Sequence, residues 1–156
     1  MLKYPNKKLK ELSIEVPIEE ISKKNIHVIK LWAEYVRHKK PQGMSCIQIG
    51  YAKQICVIRI NKEYHLVFNP KILKTIGTKK SLEGCESVKG YYFVKRPLLA
   101  KITYIDINQK EVTKWYRYKY ARIFCHEIDH LNGLCLPDVG EKWLGNGVYE
   151  KYFKKG

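Results

Sequence analysis

The sequence predicts an α+β fold in which an antiparallel or mixed β-sheet packs around a central helix carrying a His-Glu-x-x-His motif, with another helix near the N-terminus. Runs of strand character are grouped between two stretches of helical periodicity instead of alternating with them, which is the order of an α+β protein. No repeat, low-complexity tract or Gly/Ser linker interrupts the 156 residues, a length that buries one substantial core. The expectation is one domain over 1–156, with a short C-terminal tail over 137–156.

Between Glu19 and His38 the residues Val28, Leu31, Trp32, Tyr35 and Val36 recur at helical spacing with lysines largely between them, giving the first helix. Lys39, Lys40, Pro41 and Gln42 end it and lead into a glycine-bounded segment, Gly43 to Gly50. Gln54 to Ile60 is dense in β-branched residues, and Tyr64 to Phe68 follows after Asn61, Lys62 and Glu63, so the two read as a hairpin closed by Asn69 and Pro70. Lys71 to Ile76 is a third strand. Leu98 to Ile107 and Val112 to Tyr118 form another pair, turning through Asn108, Gln109 and Lys110. Tyr120 to Asn132 is the second helix, with Ile123, Phe124, Ile128 and Leu131 on its inner side and Gly133 placed to end it. Beyond Pro137 glycine and lysine dominate and no element is predicted.

Met1 to Lys10 holds no apolar run long enough for a signal peptide or a membrane span, so secretion and membrane insertion are not expected. Five cysteines form an odd set without paired short spacings, which argues against a disulfide framework. Together these point to a reducing, cytoplasmic compartment. The formal net charge of +15 would attract nucleic acid, ribosomes or anionic surfaces in a salt-dependent way. Its alternative is a solvated surface decorated by a lysine-biased genome.

His126, Glu127, Ile128, Asp129 and His130 make H-E-x-x-H inside the second helix. A four-residue step advances about 400° around a helix, so both imidazoles leave one face about one turn apart and can close on a single ion. Glu127 leaves to one side, where it serves as acid/base rather than ligand. The motif is short, and an ordinary surface helix with two histidines is the competing reading. The apolar residues around it favour a packed helix. A catalytic ion needs a third protein ligand, and the stronger candidate lies upstream in Glu83-Gly84-Cys85-Glu86-Ser87, where a cysteine sits among polar residues unlike a core thiol.

Here the sequence resembles the peptide deformylases. Three of their motifs stand in order: Gly43-Met44-Ser45-Cys46-Ile47-Gln48-Ile49-Gly50, then Glu83-Gly84-Cys85-Glu86-Ser87, then His126-Glu127-Ile128-Asp129-His130, and the resemblance covers Tyr4 to about Leu136. It implies that Cys85, His126 and His130 bind one divalent ion, Fe²⁺ in the cell and replaceable by Zn²⁺, Ni²⁺ or Co²⁺, which makes a nucleophile of water near neutrality. Glu127 would take the proton of that water and pass it to the departing amine. Gln48 through its side-chain amide and Glu86 through its backbone N–H would stabilise the oxyanion on the formyl carbon. The implied substrate is an N-formyl-methionyl peptide, paired in extended form with backbone at Gln42 and Gly84, its methionine in a pocket near Gly43, Ile123 and His126. A monomer, with ribosome contact through the basic surface, completes the expectation.

The pattern departs from the family in two places. Motif one is usually Gly-x-Gly-Leu-Ala-Ala-x-Gln, and here Pro41 replaces the first glycine while Met44, Ser45 and Cys46 replace Leu-Ala-Ala. Glu86 stands where most bacterial members carry leucine. Arg122 lies four residues before His126, on the metal-facing side of the helix, and an ion pair between Glu86 and Arg122 at the pocket rim is expected, since a carboxylate there would otherwise be poorly compensated. Asp129 either orients a group behind the ligands or caps a surface interaction. His27, His38 and His65 read as ordinary residues, and Cys46, Cys56, Cys125 and Cys135 as packed thiols. Two other functions fit parts of the pattern: an H-E-x-x-H endopeptidase, and a ribosome- or RNA-binding protein with a structural metal.

Overall fold

The computed structural model describes residues 1–145, so 146–156 of the expected tail lie outside the described residues. Eight strands and three α-helices follow one another as α1 (Ile26–Arg37), β1 (Gly43–Ser45), β2 (Ile55–Ile60), β3 (Glu63–Ile76), β4 (Lys79–Cys85), β5 (Val88–Arg96), β6 (Leu99–Ile105), β7 (Glu111–Arg117), α2 (Lys119–Leu131), α3 (Leu136–Val139) and β8 (Gly140–Lys142). The strands form a five-stranded sheet ordered β1-β2-β3-β6-β7 and a three-stranded sheet ordered β4-β5-β8. Every pairing between these strands is antiparallel.

The larger sheet is buried on both faces at its middle. Ala121, Ile123, Phe124 and Leu131 of α2 pack against Cys56, Ile58, Val67, Ala100, Ile102, Tyr104 and Tyr116 on one face. Val28, Leu31 and Tyr35 of α1 pack with Ile55, Val57 and Phe68 on the other. That two-sided burial explains why Ile55 to Ile58 of β2 read as an unbroken apolar run instead of an alternating one. The first helix starts at Ile26, later than the Glu19 expected, because the Asn25 side chain accepts from the N–H groups of His27 and Val28 and caps it there.

Three differences from the sequence reading have physical causes. Tyr64–Phe68 and Lys71–Ile76 are one strand, β3, not two: a register shift between Phe68 and Lys71, with Asn69 at φ 54°, takes up Asn69 and Pro70 inside the strand. The β4–β5 hairpin, Lys79 to Arg96, was read as no element. Its fully buried position in β4 is a carboxylate, Glu83, so the period-two hydrophobic signal is missing. The region after Leu136 forms α3 and β8, whose Gly140–Lys142 pair with Tyr92–Val94 of β5 and complete the smaller sheet. Leu9, Val88, Val94, Cys135 and Leu136 make a third apolar cluster beneath that sheet.

Candidate metal centre

Helix α2 presents His126 and His130 one turn apart with ring centroids 5.1 Å from each other. The end of β4 brings Cys85 to them. One donor atom from each of Cys85, His126 and His130 falls within 4.8 Å of the others, and Cys85 Sγ is 3.4 Å from His130 Nε2. A tetrahedral ion with bonds of about 2.0–2.3 Å has ligand-to-ligand edges of roughly 3.3–3.6 Å, so this donor set fits one ion with a position left open. A thiolate and two imidazoles suit zinc, iron, nickel or cobalt better than a hard cation such as magnesium.

Each imidazole is oriented from behind. His126 Nδ1 lies 2.9 Å from Glu83 Oε1, leaving Nε2 as the nitrogen available to a metal. Glu83 is 5% exposed and is held by Arg96, whose Nε and Nη2 donate to its two oxygens at 2.8 and 3.0 Å, and by Ser81 Oγ at 2.8 Å. Arg96 Nη1 donates to Asp129 Oδ2 at 2.6 Å, so of the two readings of Asp129 the structure supports the group behind the ligands. Burial opposes the Glu83 charge, but the bonds from His126 and Arg96 outweigh it and hold the carboxyl at about 2. His130 Nδ1 faces Cys135 Sγ at 3.9 Å, and burial pushes the Cys135 thiol up to about 12, so it stays protonated. Cys46, Cys56 and Cys125 are buried, as expected of packed thiols, while Cys85 is partly open.

Sequence reasoning missed the Glu83–Arg96–Asp129 network. Glu83 stood inside motif two, and an acid flanked by glycine and a candidate ligand was the available signal. Arg96 offered none, because its partnership with Glu83 depends on a hairpin that was not foreseen.

A cavity of about 500 Å³ opens in front of the donors, and all of the proposed substrate residues, Gln42, Gly43, Gly84, Arg122 and Ile123, line it together with Gln48, Glu86 and Glu127. Gln48 is 2% exposed and fixed at both ends: Ser45 N–H donates to its Oε1 at 2.8 Å, and its Nε2 donates to Ser87 Oγ at 3.0 Å with Cys85 Sγ 3.7 Å away. Glu127 is buried, accepts from Ser45 Oγ at 2.8 Å through Oε1, and has its pKa raised by that burial, towards the range a general base needs. Ser45, one of the departures in motif one, thus orients both Gln48 and Glu127.

Gly43 is tight for a different reason. A Cβ there would lie 2.6 Å from Glu127 Oε2. The obstacle is the end of a side chain, so Gly43→Ala is expected to fold with an unchanged melting temperature but to push the carboxylate out of place. Hydrolytic kcat should fall on the order of 10- to 100-fold with metal content intact; wild-type kcat in that variant would show that Glu127 tolerates displacement.

The expected ion pair between Glu86 and Arg122 is not formed. Glu86 enters the cleft from the β4–β5 turn, and its Oε2 lies 3.4 Å from Nδ1 of His38, the residue that ends α1. Arg122 enters from α2 and donates through Nη2 to Gln42 Oε1 at 3.3 Å. The four-residue spacing placed Arg122 correctly beside the cleft but said nothing of which neighbour it meets. His38, an ordinary residue in the sequence reading, is the residue that Glu86 meets.

Comparison with known proteins agrees with this geometry. The family described as Polypeptide deformylase matches residues 1–142. A curated peptide deformylase of Borreliella burgdorferi is 35% identical over 99% of this chain and 95% of its own length. One from Thermoanaerobacter sp. is 32% identical over 88% of this chain and 84% of its own. Among solved structures, a peptide deformylase from Synechococcus elongatus in complex with actinonin superposes with a TM-score of 0.81 at 28% identity, covering 92% of this chain and 79% of that one.

Proposed function

The chain belongs to the polypeptide deformylase family, and from that premise we propose that it hydrolyses the N-formyl group from the N-terminal formylmethionine of nascent peptides, releasing formate and a free amine. The observation that carries the reading is the convergence of Cys85, His126 and His130 at one centre with the buried Glu127 and Gln48 beside it. Those three side chains would hold one divalent ion, which would supply Lewis acidity and make water nucleophilic near neutral pH.

The protein's own groups then divide the work. Glu127 takes the proton of the attacking water and gives it to the leaving amine, its raised pKa suiting both transfers. Gln48 Nε2 and the backbone N–H of Glu86 donate to the oxygen of the formyl group as negative charge develops on it. Ser45 and Ser87 hold the Gln48 amide so that no reorganisation is needed at that moment. Among the described residues strands β1 and β4 each have one partner strand and so an open edge, and both strands border the cavity. An extended peptide can pair with backbone at Gln42 and Gly84 there, leaving its methionine beside Gly43, Ile123 and His126. Main-chain pairing accepts varied sequence and the pocket supplies the preference.

The test is formate release from formyl-methionyl peptides, run beside unformylated peptides of the same sequence. Formate without cleavage of the chain supports deformylation; cleavage of unformylated peptides would replace it with an endopeptidase. The ion we propose is Fe²⁺, with Zn²⁺, Ni²⁺ and Co²⁺ as substitutes. Activity of the iron form is therefore expected to decay in air while the nickel form persists, followed as initial rate against time of exposure; equal persistence would argue against iron. A monomer in a cytoplasmic, formyl-peptide-producing compartment, touching the ribosome through its basic surface, is the rest of the proposal. Its support is the net charge of +15, and among the described residues no helix is long and apolar enough to cross a membrane.

A further inference from the structure

The missing ion pair leaves a cation in the cleft without a charged partner among the described residues. Arg122 is the one lysine or arginine lining the cavity among the described residues. Its guanidinium has five N–H donors, and the hydrogen bond found for it among those residues is the single one to the neutral Gln42 amide. The three carboxylates of the cavity wall are engaged elsewhere: Glu83 by Arg96 and His126, Glu127 by Ser45, and Glu86 by His38. A guanidinium left open beside bound peptide favours a carboxylate with which it can make paired bonds.

The position of that carboxylate follows from two repeats, given the extended peptide of the deformylase reading on which this inference rests. Side chains one and three of an extended peptide face the same way about 6.6 Å apart. His126 and Arg122 are separated by four residues of α2, about 6 Å along its axis. With the methionine level with His126 and the extended peptide running along α2 towards its N-terminus, the third side chain comes level with Arg122. We propose that Arg122 is a specificity-determining residue that selects formyl-methionyl peptides carrying an acidic side chain at their third residue.

The probes are C-terminally amidated formyl-Met-Ala-Glu and formyl-Met-Ala-Gln, which differ in one charge and present no terminal carboxylate. Wild-type kcat/KM should favour the glutamate peptide about tenfold, mainly through KM. Arg122→Met should bring the ratio within about twofold of one, and Arg122→Glu should invert it. Lys23→Glu, an exposed charge reversal of the same size outside the cleft, should leave the ratio in place, which separates a local contact from general attraction to a basic protein. Calorimetric binding of the deformylated products, Met-Ala-Glu-amide against Met-Ala-Gln-amide, should show the same order. Equal efficiency on both peptides, or a ratio that survives Arg122→Met, would each overturn the proposal. Formate release from neither peptide by metal-loaded protein would instead refute the deformylase reading.

Discussion

Glu127→Ala is expected to keep its metal and lose nearly all deformylation, with kcat down on the order of 10²- to 10⁴-fold. The three donors that converge are Cys85, His126 and His130, and Glu127 is outside that set, its Oε1 committed to Ser45. Removing it therefore subtracts proton transfer without opening the coordination set. Cys85→Ser makes the contrast, since it should weaken metal retention and turnover together. Metal content after dialysis and formate release, measured on the same preparations, separate the two. Glu127→Gln sharpens the result: it preserves shape and the Ser45 contact but cannot accept a proton, so it should be nearly as inactive as alanine. Substantial turnover in the glutamine variant would move the base elsewhere.

That prediction was available from five consecutive residues, because a helix converts H-E-x-x-H into a fixed geometry without help from the rest of the chain. The helical and apolar periodicities of α1 and α2, and the pairing of β2 with β3 and β6 with β7, were legible for the same reason: each is specified by near neighbours. What was not legible depends on partners far apart in sequence. The β4–β5 hairpin hides its inward face behind Glu83, which reads as a surface acid until Arg96 and His126 are brought to it. Pro70 reads as a strand end because the bulge that accommodates it is decided by the partner strand β6. Glu86 and Arg122 were paired on charge alone, whereas His38 and Gln42 were nearer. Cys85 is the intermediate case. Residue chemistry marked it as unlike a core thiol and the resemblance named its role, but its approach to His130 rests on the unforeseen hairpin.

The same network gives the other large effect. Glu83→Ala removes the bidentate partner of Arg96, which is 6% exposed, and leaves His126 Nδ1 without its acceptor. A buried charge stripped of every partner typically costs about 3–5 kcal/mol, a large part of a small domain's stability, and because Arg96 keeps its bond to Asp129 the loss should fall below that range. Loss of the group that orients a ligating histidine typically costs 10- to 100-fold in metal affinity. The pH dependence carries the same information: Glu83 is held near 2 against an ordinary value of 4.5, so its contribution is complete above about pH 4.5 and disappears as pH falls through 2. The alanine variant should accordingly show a shallower loss of stability between pH 4.5 and 2 than the wild type. Two effects are then separable by one more substitution. In Glu83→Leu/Arg96→Met the buried guanidinium is gone and only Asp129, partly open to solvent, loses its partner, so part of the stability should return in a urea titration, while the orientation of His126 is still lost and chelator competition should still report weakened metal binding. Recovery of both in the double variant would mean that Glu83 acts on the metal only through the stability of the hairpin; recovery of stability alone would assign it a direct hold on His126.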